Sequence, residues 1–126
     1  MSRSTALVGW VVVGGVVMIV MGLLAVGDTS LVGLPQHAFM SMNPMHGLVH
    51  AAGGVLAILI ALVLRGRARA YGVLAYGALF VLGFVLNVIS PDFFGMMPDA
   101  PANAPVHLMH AVVAVVSLGV GYGELT

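Results

Sequence analysis

The chain has 126 residues, of which 61% are hydrophobic and only 6% charged. Soluble domains carry about 25% charged residues, so this composition cannot build a water-compatible surface and lipid is the solvent that fits. A net charge of zero and the lack of any basic cluster exclude a nucleic-acid footprint, and the absence of cysteine excludes disulfides, thiolate metal sites and cysteine nucleophiles.

A helix needs about 20 mostly apolar residues to cross the hydrocarbon core. Four stretches reach that length, at residues 6–26, 45–64, 70–89 and 106–122. They predict one transmembrane domain over residues 1–126. Helices are the expected form, because backbone groups in lipid must be satisfied within each segment. The first stretch ends near Ala25-Val26-Gly27, which resembles a leader cleavage site. It is longer than a leader's apolar core of about 7–15 residues and follows Met1, so a retained span is expected. Arg3 precedes the first span, and Arg65, Arg67 and Arg69 lie between the second and third. Basic residues favour the cytoplasmic side. Both termini are therefore expected in the cytoplasm of a multi-pass cell-membrane protein, with all five histidines toward the outer face.

The outer connections, residues 27–44 and 90–105, are long for a compact bundle, where about 4–6 residues is usual. They are also apolar, with Leu31, Val32, Leu34, Phe39 and Met40 in the first and Phe93, Phe94, Met96 and Met97 in the second. Both are expected to cap the bundle or lie on the interface. The two halves read as copies of one hairpin. Asp28, Gly33, Pro35, Pro44 and His46 recur as Asp92, Gly95, Pro98, Pro105 and His107, at offsets of 61 to 64 residues. Each half enters from the same side, so the repeats would be parallel and related by an axis along the membrane normal. The predicted fold is all-α, an integral membrane four-helix bundle of two parallel helical hairpin repeats.

Asn43-Pro44 opens the second span and Asn103-Ala104-Pro105 the fourth. Asn is a preferred N-cap and Pro is tolerated in the first helical turn. His46 and His50 are four apart and share a helix face; His107 and His110 are three apart and share another. His37 falls in the first outer connection. Ionisable side chains within spans default to a functional reading, discounted here because these histidines stand close to the interface. A helix N-terminus disfavours a nearby cation, and neutral imidazole is a common metal ligand.

Three readings follow. The first is a metal site of His46, His50, His107 and His110 around copper or zinc, with Met42, Met45 and Met109 favouring Cu(I) because thioethers are soft. The second is haem b held by His50 and His107, which needs no other ligand. The third is structural, with the histidines hydrogen-bonded across helices and to Asn87, at about 0.6 kcal/mol each, in an accessory subunit of a larger membrane complex or in a homo-oligomer. No nucleophile–base–orienter set is visible, and Ser41 alone offers little for hydrolysis, so enzymatic activity is not expected. Ser117 is expected to bond its own helix. Met18 and Met21 read as packing, Trp10, Tyr71 and Tyr122 as an aromatic belt, and Gly119 and Gly123 as a helix-packing face.

His50-Ala51-Ala52-Gly53 and Asn103-Ala104-Pro105-Val106-His107-Leu108 resemble a family of small four-span prokaryotic membrane proteins known only as a domain of unknown function. The resemblance covers spans two to four. It implies a four-helix fold and a membrane location, and it supplies no activity. Asn103 stands where that family has an acid, so a role needing a carboxylate there does not carry over.

Overall fold

The computed structural model describes residues 1–126 and contains four helices: α1 (Arg3–Val26), α2 (Pro44–Val63), α3 (Gly66–Ile89) and α4 (Ala104–Leu125). Each is long and apolar enough to cross a membrane. The fourth is longer than its apolar stretch suggested, because the helix continues through Gly123 and Glu124. The third begins at Gly66, so Arg67 and Arg69 belong to its first turn and only Arg65 stands outside as the N-cap. Large side chains face outward all around the bundle, among them Val13, Leu62, Leu82 and Val115. Lipid is the environment this surface requires.

Small residues set the packing. A Cβ on Gly15 would stand 2.8 Å from the Gly54 carbonyl oxygen, and one on Gly47 would stand 2.6 Å from that of Gly22. Glycine at these points lets α1 and α2 run antiparallel with their backbones touching. The α3–α4 pair is also antiparallel. Gly77 lies against Leu118, and Gly121 against Leu74 and the Ala70 carbonyl. Gly119 and Gly123, by contrast, have nothing within 4 Å of a Cβ position, so neither marks a close helix approach. Their spacing suggested a packing face; the rotation of α4 turns Gly121 inward instead.

The two hairpins meet along α1 and α4, where Trp10 Nε1 donates to Ser117 Oγ at 3.0 Å and Ser4 Oγ donates to Glu124 at 2.9 Å. Trp10 is thus a cross-helix donor rather than only an interfacial anchor. Ser117 accepts from α1, where a bond within its own helix was expected. The helix α2 touches α3 far less than it touches α1. The helices therefore pair tightly within each hairpin, and the two hairpins meet loosely along both α1–α4 and α2–α3. One apolar cluster, including Leu7, Val11, Ala57 and Val73, fills the end near the termini. Another, including Ala25, Val32, Met42 and Val106, fills the opposite end.

The long connections cap that opposite end. The first contains two short strands, β1 (Val32–Gly33) and β2 (Met40–Ser41), paired in parallel. Nothing in the apolar pattern of residues 27–44 announced this pairing, because two-residue strands carry no usable period. Asp28 adopts φ 52° at the turn after α1, and its Oδ1 accepts from the Leu34 N–H at 2.7 Å. His37 Nε2 lies 2.9 Å from the same oxygen. The second connection turns at Phe93, Phe94 and Gly95, all with positive φ. Ser90 Oγ donates to Asp92 Oδ1 at 2.7 Å. That bond, with the Gly95 N–H, holds the Asp92 carboxyl below its ordinary range.

Candidate metal centre

Two asparagines fix the starts of α2 and α4 and tie the caps together. Asn43 Oδ1 accepts from the His46 N–H at 2.8 Å, while its Nδ2 donates to Asp99 at 3.0 Å. Asn103 Oδ1 accepts from the N–H groups of Val106 and Ser41 at 3.4 and 3.2 Å. Its Nδ2 donates to the Phe39 carbonyl at 3.0 Å. A carboxylate at position 103 would keep the two acceptor roles and lose this donor. Both helices consequently begin at the same end of the bundle, each with two histidines in its first two turns.

Three of those histidines converge. His50 Nε2 lies 2.8 Å from His46 Nε2 and 3.3 Å from His110 Nε2. The His50 and His110 rings stack, with centroids 5.2 Å apart and planes 16° apart. His46, His50 and His110 are all buried, at 7%, 5% and 3% exposure. One potential ligand atom from each lies within 4.8 Å of the others, and together they can hold a metal ion.

His107 is not in this group. It packs edge-on to Phe84, with centroids 6.2 Å apart, and its Nδ1 is buried without a hydrogen-bond partner. His37 is half-exposed in the cap. Of the four residues read as a metal set, the structure gathers three; of the haem pair His50 and His107, only the first is among them. Positions 107 and 110 lie on one side of α4, but the helix turns only the second toward α2. Asn87 is buried yet donates through Nδ2 to the Gly83 carbonyl of its own helix at 2.8 Å, where a bond to histidine was expected.

The hydrogen-bonding balance of the trio is incomplete. His50 Nε2 faces two like nitrogens and can donate to them or accept from them, depending on where its proton sits. In either arrangement His46 Nδ1 and His110 Nδ1 remain buried without partners. A metal ion on the Nε2 atoms would leave both Nδ1 atoms as they are, so the fit rests on the Nε2 spacing. A zinc ion has Zn–N bonds of about 2.0–2.1 Å, which sets tetrahedral nitrogens about 3.3–3.4 Å apart. The His50–His110 separation already matches, and the His46–His50 separation must open by about half an ångström.

The trio also lines a cavity of about 360 Å³ between α2 and α3, roofed by Phe93, Met96 and Met97 from the second cap. Met45 lies on its wall as well. Tyr76, Phe80, Gly83 and Asn87 line it from α3. Tyr76 and Phe80 escaped the reading of the sequence. Their spacing with Gly83 and Asn87, at steps of four, three and four, places all four on one helix face, and that was the available signal.

The family described as a domain of unknown function (DUF4383) matches residues 36–122. No curated protein and no solved structure matches the chain.

Proposed function

The chain belongs to the DUF4383 family, which has no activity to lend, and from its site we propose that it binds a transition-metal ion, copper or zinc, through three histidines within the membrane. The observation that carries this reading is the convergence of His46, His50 and His110, with one nitrogen from each within 4.8 Å of the others. Imidazole nitrogen suits both metals. Three protein ligands with a vacant fourth direction are the pattern of reactive or exchangeable zinc sites rather than closed structural ones. Met45, Met96 and Met97 around the same cavity favour Cu(I), because thioether sulfur is a soft ligand. His107, first grouped with the ligands, packs against Phe84 and is left out of this proposed set. The site is proposed to face the outer leaflet of a cell membrane, as the distribution of arginines supports.

The test is elemental analysis of protein purified in mild detergent with a tag that contains no histidine. Stoichiometric copper or zinc is expected in the wild type and in His107→Gln, with loss in His50→Gln and in the double variant His46→Gln/His110→Gln. A metal-free wild type reconstituted with neither ion overturns the proposal. The visible spectrum of the same sample tests the haem reading, since a Soret band would replace the metal ion by haem.

A second reading is favoured by one contact between helices, the 3.3 Å approach of His110 Nε2 on α4 to His50 Nε2 on α2, which is within hydrogen-bond distance. Under it, the histidines serve helix association in an accessory subunit. That reading expects a metal-free protein that co-purifies with a larger membrane partner or as a homo-oligomer.

A further inference from the structure

Of the two loose sides between the hairpins, the one between α2 and α3 has an apolar lip and a polar floor. Val49, Leu56 and Leu79 on the lip are 63%, 43% and 56% exposed, and in a bilayer they face lipid. On the floor, Tyr76 and Asn87 are 6% and 3% exposed. Tyr76 Oη and Asn87 Oδ1 are both buried without a hydrogen-bond partner. Two glycines hold the space open. A Cβ on Gly83 would meet nothing within 4 Å, and one on Gly53 would meet only Tyr76 Oη, at 4.0 Å. Glycine is among the poorest helix formers, and at these two lining positions its absent side chain leaves room for another molecule.

We propose that this cleft binds a neutral, lipid-soluble ring compound bearing a carbonyl or hydroxyl oxygen, the chemistry of a quinone or quinol, taken up sideways from the bilayer. Neutrality follows from the lining, which contains no Asp, Glu, Lys or Arg and whose histidines, His46, His50 and His110, are clustered at its α2–α4 end. The oxygen follows from Tyr76, a buried hydroxyl donor with no acceptor in the protein. A hydroxyl on the ligand would also serve Asn87, whose free oxygen needs a donor. Those two residues are eleven apart, about 16 Å of helix rise, so a compact headgroup engages one of them at a time. Tyr76, beside Gly53, is assigned to the ring oxygen. The ring follows from the Tyr76–Phe80 pair, with centroids 5.0 Å apart, which offers aromatic packing. The cavity's volume of about 360 Å³ is at the small end of ligand sites. It suits a ring with the start of a tail, rather than a two-chain phospholipid.

The proposal does not depend on the metal reading, because the residues that carry it are not the three histidines. Native mass spectrometry of the chelator-treated protein in detergent tests it, with decyl-substituted benzoquinone as the probe and decylbenzene as its oxygen-free counterpart. One quinone per chain is expected, with decylbenzene retained much more weakly. Tyr76→Phe should weaken the quinone about fivefold, the effect of one lost neutral hydrogen bond, and leave decylbenzene unchanged. Gly53→Leu and Gly83→Leu fill the cleft and should each weaken the quinone by at least about tenfold. If Gly53→Leu fails to fold, Gly83→Leu decides, since its Cβ has free space. The proposal falls if the wild type binds no quinone, if decylbenzene binds equally well, or if a folded leucine variant keeps full affinity. Quinone binding here, together with a wild type that takes up neither ion on reconstitution, would overturn the metal reading alone, and metal uptake without quinone binding would overturn this one alone.

Discussion

Asn103 shows how much one side chain carries in the cap. It caps the start of α4, accepts from the Ser41 N–H and donates to the Phe39 carbonyl, so it joins the two outer connections. Its helix-capping role was legible from Asn103-Ala104-Pro105. Its two long-range bonds were not, because they depend on a strand pairing with no sequence period. Asn103→Ala should destabilise the protein by about 1–2 kcal/mol, the usual cost of an N-cap, with the lost cap contacts placing it at the upper end. Asn103→Asp keeps the acceptor and loses one donor, so it should cost less. Thermal unfolding of both variants in one detergent checks the order, and equal melting temperatures would contradict it. The histidines teach the same lesson. Four of them were visible as two pairs at helical spacing. Which three would meet depended on how far α4 is rotated about its own axis.

At the scale of helices, glycines rather than large apolar residues decide the contacts. The α1–α2 pair closes where Gly15 meets Gly54 and Gly22 meets Gly47. Lipid chains are as apolar as leucine, so helix association here rests on close packing instead of release from water. Gly47→Leu should therefore push α1 away from α2 and cost about 1–3 kcal/mol or more, whereas Gly119→Ala, with open space around it, should be neutral or slightly stabilising. Melting curves of the two variants test this, and a neutral Gly47→Leu would mean that the helices do not touch there in the membrane. The sequence pointed to Gly119 and Gly123 as the packing pair and missed Gly121. Spacing by four residues marks a face, but it does not say which face meets a neighbour.

For the whole molecule, the helix count and the placement of charge come from composition, whereas the cleft comes from assembly. The chain's four arginines fall at the start of α1 and around the α2–α3 connection, and antiparallel packing brings both sites to one end of the bundle. We expect that end to be cytoplasmic. A reporter fused at either terminus should be fluorescent when it is a cytoplasm-dependent fluorophore, and inactive when it is a periplasm-dependent phosphatase. The opposite pattern would invert the orientation and place the histidines on the inner face.

The sequence alone determined that the chain is built for lipid, that it forms four helices, and that α2 and α4 start with capped turns bearing histidines. These properties are local: they depend on runs of apolar residues and on capping chemistry within a few positions. Tertiary structure decided that His46, His50 and His110 converge while His107 faces Phe84, and that α2 and α3 part to leave a cleft. A linear pattern fixes the angle between two residues on one helix. It leaves open how each helix is rotated against its neighbours, and that rotation is set by backbone contacts at glycines far apart in the chain.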